Sequence, residues 1–351
     1  MASEKIRAGI VDDSNFMVTI LKDILENEDN IEVIGTGHDG KDAIQLNKEK
    51  NPDVLLIDIK MDEMDGLTAV KKIMSEKPTP VVVISGLGGE AGKMSVKALN
   101  AGAVDFISKT SGSLSMDIRK KSEEIIEKVI QASKTDLDSF VRKEKMEEEK
   151  GDYTPKDSEG WIIVVASSTG GTRALDEFLS SFPPNFQVPI VVVQHMPTGF
   201  TNYLASTLDT KLDLSVKEAK DHDEITNNQV YIIPSGYHGK ISTWRKKRFI
   251  SLNENPRLHG VRPSADYLFK SASEKYGAKV FGVVLTGMGE DAAEGAKCIR
   301  ENHGFVALQD EKSSVVYGMP KSAKSKAGCD FEGSPSEIGK KVVDMFMEEN
   351  T

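Results

Sequence analysis

The sequence predicts an α/β protein made of two doubly wound domains, each on a mostly parallel sheet, and three observations lead there. Short apolar runs recur along the chain, among them Ile10-Val11, Val54-Leu55-Leu56-Ile57, Val81-Val82-Val83-Ile84, Ile162-Ile163-Val164-Val165 and Val280-Phe281-Gly282-Val283-Val284. Amphipathic segments alternate with them: Met17, Ile20, Leu21, Ile24 and Leu25 follow i, i+3, i+4 spacing, which gives a helix one buried face. Most of the apolar runs also end in residues that carry chemistry. Strand, helix and strand in succession form a right-handed parallel crossover, and open sheets of this kind bind ligands at the carboxyl ends of their strands.

In the first half, strands are expected near residues 6–11, 31–35, 54–58, 81–85 and 103–107, which makes a flavodoxin-like sheet. Asp12-Asp13 close the first strand and Asp58 the third, so three acidic side chains meet at one edge. Such a cluster repels itself, and a hard divalent cation with oxygen ligands, Mg²⁺ above all, relieves the repulsion and holds an incoming phosphoryl group. Asp58 is then a candidate nucleophile toward phosphorus, because a carboxylate can form an acyl phosphate. Ser85, after Val81-Val82-Val83-Ile84, offers a hydroxyl to a phosphoryl oxygen, and Lys109, after Val104-Asp105-Phe106-Ile107, a point charge. Any one of these residues is ordinary in a polar loop after a strand. Four strand ends with complementary parts point to a phosphoryl site. Phe106 fits the last strand as a core aromatic.

Composition narrows the class. At 351 residues the chain suits two ordinary domains, and 38 % hydrophobic with 28 % charged residues fits a water-soluble globular protein. No apolar stretch is long enough to span a bilayer, and Met1 to Lys5 run into a strand without a signal-peptide core, so a cytoplasmic protein is expected. Cys298 and Cys329 are the only cysteines, which argues against a disulfide framework or zinc site. A net charge of −10 disfavours nucleic acid as a partner. The basic run Arg245-Lys246-Lys247-Arg248, between Ile241 and Ile250, reads as a solvated hairpin turn. A charged stretch, Lys143 to Lys150, followed by Gly151, Pro155 and Gly160, reads as a linker. The expected division is a first domain over 1–130, a linker over 131–159 and a second domain over 160–351.

The second half repeats the grammar. Trp161 to Ala166 form an apolar strand that breaks into Ser167-Ser168-Thr169-Gly170-Gly171-Thr172, and Leu175, Phe178 and Leu179 mark the helix that follows. A serine on a turn from strand to helix is exposed at the sheet edge, and the helix start offers N–H groups to a developing negative charge. A phosphate-binding loop is the competing reading, although neither G-x-G-x-x-G nor a Walker lysine is present. The strand Val188 to Gln194 ends at His195, and Val280 to Leu285 open into Thr286-Gly287-Met288-Gly289-Glu290-Asp291. Serine, histidine and aspartate thus stand at three strand ends, the set needed for nucleophile, general base and orienting acid. Taken alone, His195 reads first as a hydrogen-bonded structural histidine and Asp291 first as the cap of the helix through Ala292, Ala293 and Ala296.

Two resemblances cover most of the chain. Residues 5–120 resemble a two-component receiver domain at Asp12, Asp13, Asp58, Ser85 and Lys109, with Met64-Asp65-Gly66 after the acceptor. The resemblance implies Asp58 as phosphoacceptor. It also implies Asp13, Asp58 and the Lys60 carbonyl as Mg²⁺ ligands, Asp12 on a metal-bound water, and Phe106 as an aromatic whose orientation follows phosphorylation. Thr110 and Asp62 stand where receivers usually carry proline. The second half resembles the chemotaxis receptor protein-glutamate methylesterases. The segments that carry it are Ser168 to Thr172, Gln194-His195-Met196-Pro197 with Gly199-Phe200-Thr201, Arg262 to Asp266, Leu285 to Asp291, and Val316 to Pro320.

That second resemblance implies Ser168 rather than Ser167 as nucleophile, His195 as base, Asp291 as its partner, and the backbone near Thr169 and Met288 as the oxyanion site. His38, His222, His238, His259 and His303 match no catalytic position and are expected to be structural or at the surface. The implied function is phosphorylation-activated hydrolysis of glutamate methyl esters on the cytoplasmic domains of methylated chemoreceptors, with glutamine deamidation. Mg²⁺ is expected for receiver phosphorylation and no cofactor for ester hydrolysis; a chemotaxis histidine kinase is the expected phosphodonor. The unphosphorylated receiver is expected to hold the effector in check. A phosphorylation-dependent binding module without turnover is the alternative.

Overall fold

Strands Val54–Asp58, Val81–Ser85, Ile162–Ser167, Ile190–Gln194 and Val280–Val284 are buried at every residue. Parallel strands covered by helices on both faces require such unbroken apolar runs. The structure is a computed structural model that describes residues 5–86, 89–109, 118–135, 137, 153–156 and 158–349. Two compact units, Met1–Met146 and Glu147–Thr351, make up the chain.

The first unit runs β1 (Ile6–Val11), α1 (Asn15–Glu26), β2 (Ile31–Gly37), α2 (Gly40–Lys50), β3 (Val54–Asp58), α3 (Gly66–Glu76), β4 (Val81–Ser85), α4 (Gly89–Asn100), β5 (Asp105–Ser108) and α5 (Ser122–Ser133). Its sheet has the order β2-β1-β3-β4-β5 with every pair parallel. The helix expected after Asp13 buries Met17, Ile20, Leu21, Ile24 and Leu25, and Ser14 caps it by accepting the Met17 N–H. Asp65 caps α3 in the same way, accepting from Thr68 N–H at 2.7 Å.

In the second unit follow β6 (Tyr153–Pro155), β7 (Ile162–Ser167), α6 (Gly171–Leu179), β8 (Ile190–Gln194), α7 (Thr201–Lys211), β9 (Ser215–Glu218), β10 (Gln229–Ile232), β11 (His238–Trp244) and β12 (Lys247–Asn253). The chain continues through α8 (Ala265–Tyr276), β13 (Val280–Val284), α9 (Ala293–Glu301), β14 (Phe305–Gln309), α10 (Met319–Ala327), β15 (Phe331–Gly333), α11 (Pro335–Phe346) and β16 (Met347–Glu349). The large sheet, ordered β15-β14-β13-β7-β8-β10-β9, is parallel throughout. Alternation along β7 sends Ile163 and Val165 into one core with Phe178, Phe182 and Phe186, and Ile162, Val164 and Ala166 into the other with Phe269 and Leu268.

Arg245 and Lys246 of the basic run form the turn of the antiparallel hairpin β11–β12, both at positive φ, while Lys247 and Arg248 begin β12. The stretch 131–159 contains the end of α5 and also β6, which pairs with β16. Residues 143–150 and Thr110 lie outside the described residues.

Both sheets change winding direction once. In the first unit this happens between β1 and β3, and in the second between β7 and β13. Ligands of open sheets bind outside the strand carboxyl ends at such points. Asp12 and Asp58 flank the first crevice, Ser168 and the segment Thr286–Asp291 the second.

Candidate functional site

The first crevice gathers Asp12, Asp13 and Asp58, each offering a carboxylate oxygen within 4.8 Å of the others. Asp12 and Asp58 are buried while Asp13 is exposed. Lys109 Nζ stands 2.9 Å from Asp12 Oδ2 and 2.9 Å from Asp58 Oδ2, so the lysine expected at this edge bridges two carboxylates. Asp12 Oδ1 accepts from Ser14 N–H at 3.0 Å. Burial pushes the Asp58 carboxyl up to about 6, with the Asp12 and Asp13 charges adding to the rise and Lys109 opposing it. Burial acts against the Lys109 charge, but the two aspartates outweigh it and raise its pKa.

Ser85 closes the neighbouring strand β4, and its hydroxyl lies within hydrogen-bond reach of the carbonyls of Gly86 (3.2 Å) and Ala91 (3.3 Å). A Cβ on Gly66 would stand 2.2 Å from the Asp58 carbonyl oxygen, which explains the glycine of Met64-Asp65-Gly66: the start of α3 packs directly on the Asp58 backbone. Lys60 lies in the loop that joins them. Three oxygen-bearing side chains at this spacing, one partly open to solvent, fit a hard divalent cation such as Mg²⁺.

In the second crevice His195 meets Asp291, and Ser168 stands at the end of the neighbouring strand β7. His195 follows β8, and its Nε2 lies 2.9 Å from Asp291 Oδ2. The carboxylate accepts three further bonds, from Ser264 Oγ (2.6 Å), Ala265 N–H (2.6 Å) and Asp266 N–H (3.2 Å). Asp291 therefore does not cap the helix that follows it. That helix, α9, begins after Ala292, at φ 78° and with no side-chain cap. The carboxylate instead sits at the amino end of α8, where the helix start favours an anion. Burial acts to raise the Asp291 carboxyl, yet the His195 contact and the Ser264 and Ala265 donors overcome it and hold it down at about 2.

Ser167 and Ser168 separate cleanly. Ser167 is fully buried and its hydroxyl donates to Gln194 Oε1 at 2.6 Å. Ser168 is half-buried at the turn. Its backbone N–H donates to the Thr286 carbonyl at 3.0 Å, which fixes it beside the segment after β13 and withdraws that N–H from an oxyanion role. Thr286 Oγ1 donates to the Thr169 carbonyl at 3.0 Å, tying the two candidate oxyanion segments, Thr169 and Met288, to one another.

Ser264 and Gln194 also touch this site, through Asp291 and Ser167, and the sequence, which places both in the matching segments, assigns neither a role. Behind Ser264 stands His238. Its Nδ1 accepts the Ser264 N–H at 3.1 Å and its Nε2 faces the Pro256 carbonyl at 3.1 Å, an arrangement that requires the neutral ring; burial lowers its pKa. His259 lies between Asp266 (3.1 Å) and Glu290 (3.2 Å), while His38 Nδ1 faces the Asp12 carbonyl at 3.1 Å. No helix among the described residues is long and apolar enough to cross a membrane.

Known proteins resemble the chain over both units. The CheB methylesterase family model matches residues 163–342 and the response regulator receiver domain model residues 9–118. The chain is 39 % identical over 345 residues to a Thermotoga maritima protein-glutamate methylesterase/protein-glutamine glutaminase, covering 98 % of this chain and 100 % of that protein. A Pyrococcus abyssi protein of the same description is 37 % identical over 350 residues, covering 98 % of this chain and 94 % of its own. The crystal structure of the Thermotoga maritima CheB methylesterase catalytic domain is 40 % identical with a TM-score of 0.52, covering 53 % of this chain and 99 % of that one. With a crevice on each sheet, both family models matched and relatives aligned over 98 % of its length, the chain belongs to the CheB methylesterase family, its catalytic domain preceded by a response regulator receiver domain.

Proposed function

We propose that this protein hydrolyses glutamate methyl esters on the cytoplasmic helices of chemoreceptors, releasing methanol, and deamidates receptor glutamine at the same site. The observation that carries the reading is the 2.9 Å contact of His195 Nε2 with Asp291 Oδ2 beside the Ser168 turn. A carboxylate can only accept, so Nε2 carries the ring proton and the lone pair lies on Nδ1. Ser168 Oγ attacks the ester carbonyl while its proton passes to His195 Nδ1. Asp291, ionised at every working pH, steadies the imidazolium. The proton then goes to the departing methoxide, and methanol leaves an acyl-enzyme on Ser168. Water attacks that ester, giving its proton to His195, and the glutamate carboxylate departs as Ser168 is reprotonated. With glutamine the leaving group is ammonia. The Thr169 and Met288 backbone is the candidate donor set for the oxyanion. Nucleophile, base and orienting acid are all side chains, so the hydrolytic step needs no cofactor.

Control lies in the first unit. Asp58 takes a phosphoryl group from a histidine kinase: a carboxylate oxygen bonds to phosphorus as the phosphorus–nitrogen bond of the donor breaks. Mg²⁺ held by Asp13, Asp58 and the Lys60 carbonyl, with Asp12 on a metal-bound water, would neutralise charge on the phosphoryl oxygens. Lys109 and Ser85 are the candidate partners of those oxygens. We place the reaction in the cytoplasm.

Methanol release from methyl-labelled receptor membranes, with and without a small phosphodonor, tests the whole reading. Turnover that rises with phosphodonor, and does so only with Mg²⁺ present, is expected. Thermal stabilisation by nucleotides with no methanol released points instead to a binding module.

A further inference from the structure

Ser168 and His195 stand just beyond the point where their strands cease to pair. The β7–β8 ladder ends at Ser167 opposite Gln194, and its last bond runs from His195 N–H to the Ser167 carbonyl at 3.0 Å. Past that point the Gln194 side chain continues the connection. Its Nε2 donates to the Ser168 carbonyl at 2.9 Å and to the His195 carbonyl at 3.0 Å, while Oε1 accepts from Ser167 Oγ at 2.6 Å. The amide has two hydrogens and both are used, on the main chains of the two residues that must meet. With the amide turned over, an oxygen would face two carbonyl oxygens.

A second feature depends on this amide. Gly171 opens α6, and a Cβ there would lie 2.3 Å from Gln194 Oε1 and 2.8 Å from Ser167 Cβ. The glycine is therefore required by the room that the amide takes. Gln194 is 2 % exposed, so no solvent competes for its bonds.

The geometry points to Gln194 as a positioning residue that sets the spacing of Ser168 and His195 through their carbonyls, with Gly171 reserving its place. This rests on the proposed roles of Ser168 and His195. It differs from a merely structural role, in which Gln194 would serve only to satisfy the buried Ser167 hydroxyl.

Full-length protein acting on methylated receptor membranes separates the two, with labelling of Ser168 by a fluorophosphonate as a second readout. Gln194→Met should lower kcat by about 100-fold, the loss expected of a misplaced catalytic pair, with KM changed by less than about twofold. Labelling should slow in parallel. Adding Ser167→Ala to Gln194→Met removes the orphaned hydroxyl and should not restore kcat. Gln194→Glu adds a pH test: as its carboxyl ionises it faces two carbonyl oxygens, so kcat should fall with rising pH where the parent rate is level or rising. Recovery of kcat in the double variant, a parent-like kcat in Gln194→Met, or a parent-like pH profile in Gln194→Glu overturns the proposal. The last decides should the methionine variant fail to fold. Ser168→Ala runs alongside: turnover surviving in it overturns the nucleophile assignment and the spacing role with it, whereas its loss alongside an unaffected Gln194 series overturns the spacing role alone.

Discussion

Asp291 reaches His195 across the sheet edge at 2.9 Å, and its other three bonds all come from residues 264–266. The aspartate thus joins two structures that are far apart in sequence: the histidine after β8 and the amino end of α8. Holding the imidazole and anchoring a helix are the same interaction here, so damage to one is damage to both.

The two adjacent serines should behave in opposite ways. Ser168→Ala should abolish methanol release in a protein that still melts cooperatively. Ser167→Ala loses a buried hydroxyl bonded to Gln194 and should stay active within roughly tenfold while losing on the order of 1 kcal/mol of stability. Activity that follows Ser167 rather than Ser168 reverses the assignment.

Asp291→Asn should cost on the order of 10⁴-fold in kcat, as expected of an orienting acid whose loss spoils the tautomer. It should also destabilise the second unit. With its carboxyl held at about 2 against an ordinary 3.8, Asp291 contributes roughly 2 kcal/mol above the ordinary value, lost as pH falls through the depressed one. Ser264→Ala removes one of four donors and should give an intermediate loss in both kcat and melting temperature. A stability loss without a rate loss in Asp291→Asn would show the helix anchor to be its sole task.

Asp58 has the opposite sign. Its folded pKa is raised from 3.8 to about 6, so its protonated form stabilises the fold, fully below the ordinary value and no longer once pH has passed the raised one. At pH 7 the ionised side chain is a cost. In metal-free buffer Asp58→Asn should therefore stabilise the first unit by roughly 3 kcal/mol at neutral pH, with the gain shrinking toward pH 4. Denaturant melts at both pH values measure this, and a variant less stable than the parent at pH 7 contradicts it.

His238 supplies an acid limb to stability. A neutral ring is required to accept the Ser264 N–H, and burial depresses its pKa below the ordinary 6.5. The stability it contributes is complete above that ordinary value and disappears as pH falls through the depressed one. Melting temperature should fall between pH 7 and pH 5 more steeply in the parent than in His238→Asn. Equal slopes would remove His238 from the account.

Apolar runs made the sheets legible, because a strand buried on both faces has no other composition open to it. Strands at 54–58 and 81–85 match the structure residue for residue. Asp12, Asp58, Ser168 and His195 were legible too, since a strand's carboxyl end delivers its last or next residue to the crevice, whereas Asp291 lies seven residues beyond β13. What Asp291 binds was not. Adjacency to Ala292 suggested a local cap, whereas its partners lie about 26 positions upstream and only the packing of α8 against α9 brings them near. Gln194 was hidden for a related reason: a glutamine at a strand end has no periodic signature, and its worth lies in which carbonyls surround it. Strands β6 and β16 have three residues each and mixed composition, too little pattern to announce a pairing.

That small ribbon has a topological consequence. Tyr153–Pro155 run antiparallel to Met347–Glu349, Lys156 N–H donates to the Phe346 carbonyl at 2.8 Å, and Lys156 Nζ donates to the Asp344 carbonyl at 3.0 Å. The first and last described strands of the second unit therefore meet at one place, so the chain from β6 to β16 is nearly a closed ring. Residues 153 and 349 could be joined by a short flexible tether and the chain opened at the exposed turn Arg245-Lys246 without cutting any strand of the large sheet. A tug arriving along the preceding chain meets this clasp first, and three residue pairs must part before strain reaches β7 and the serine at its tip.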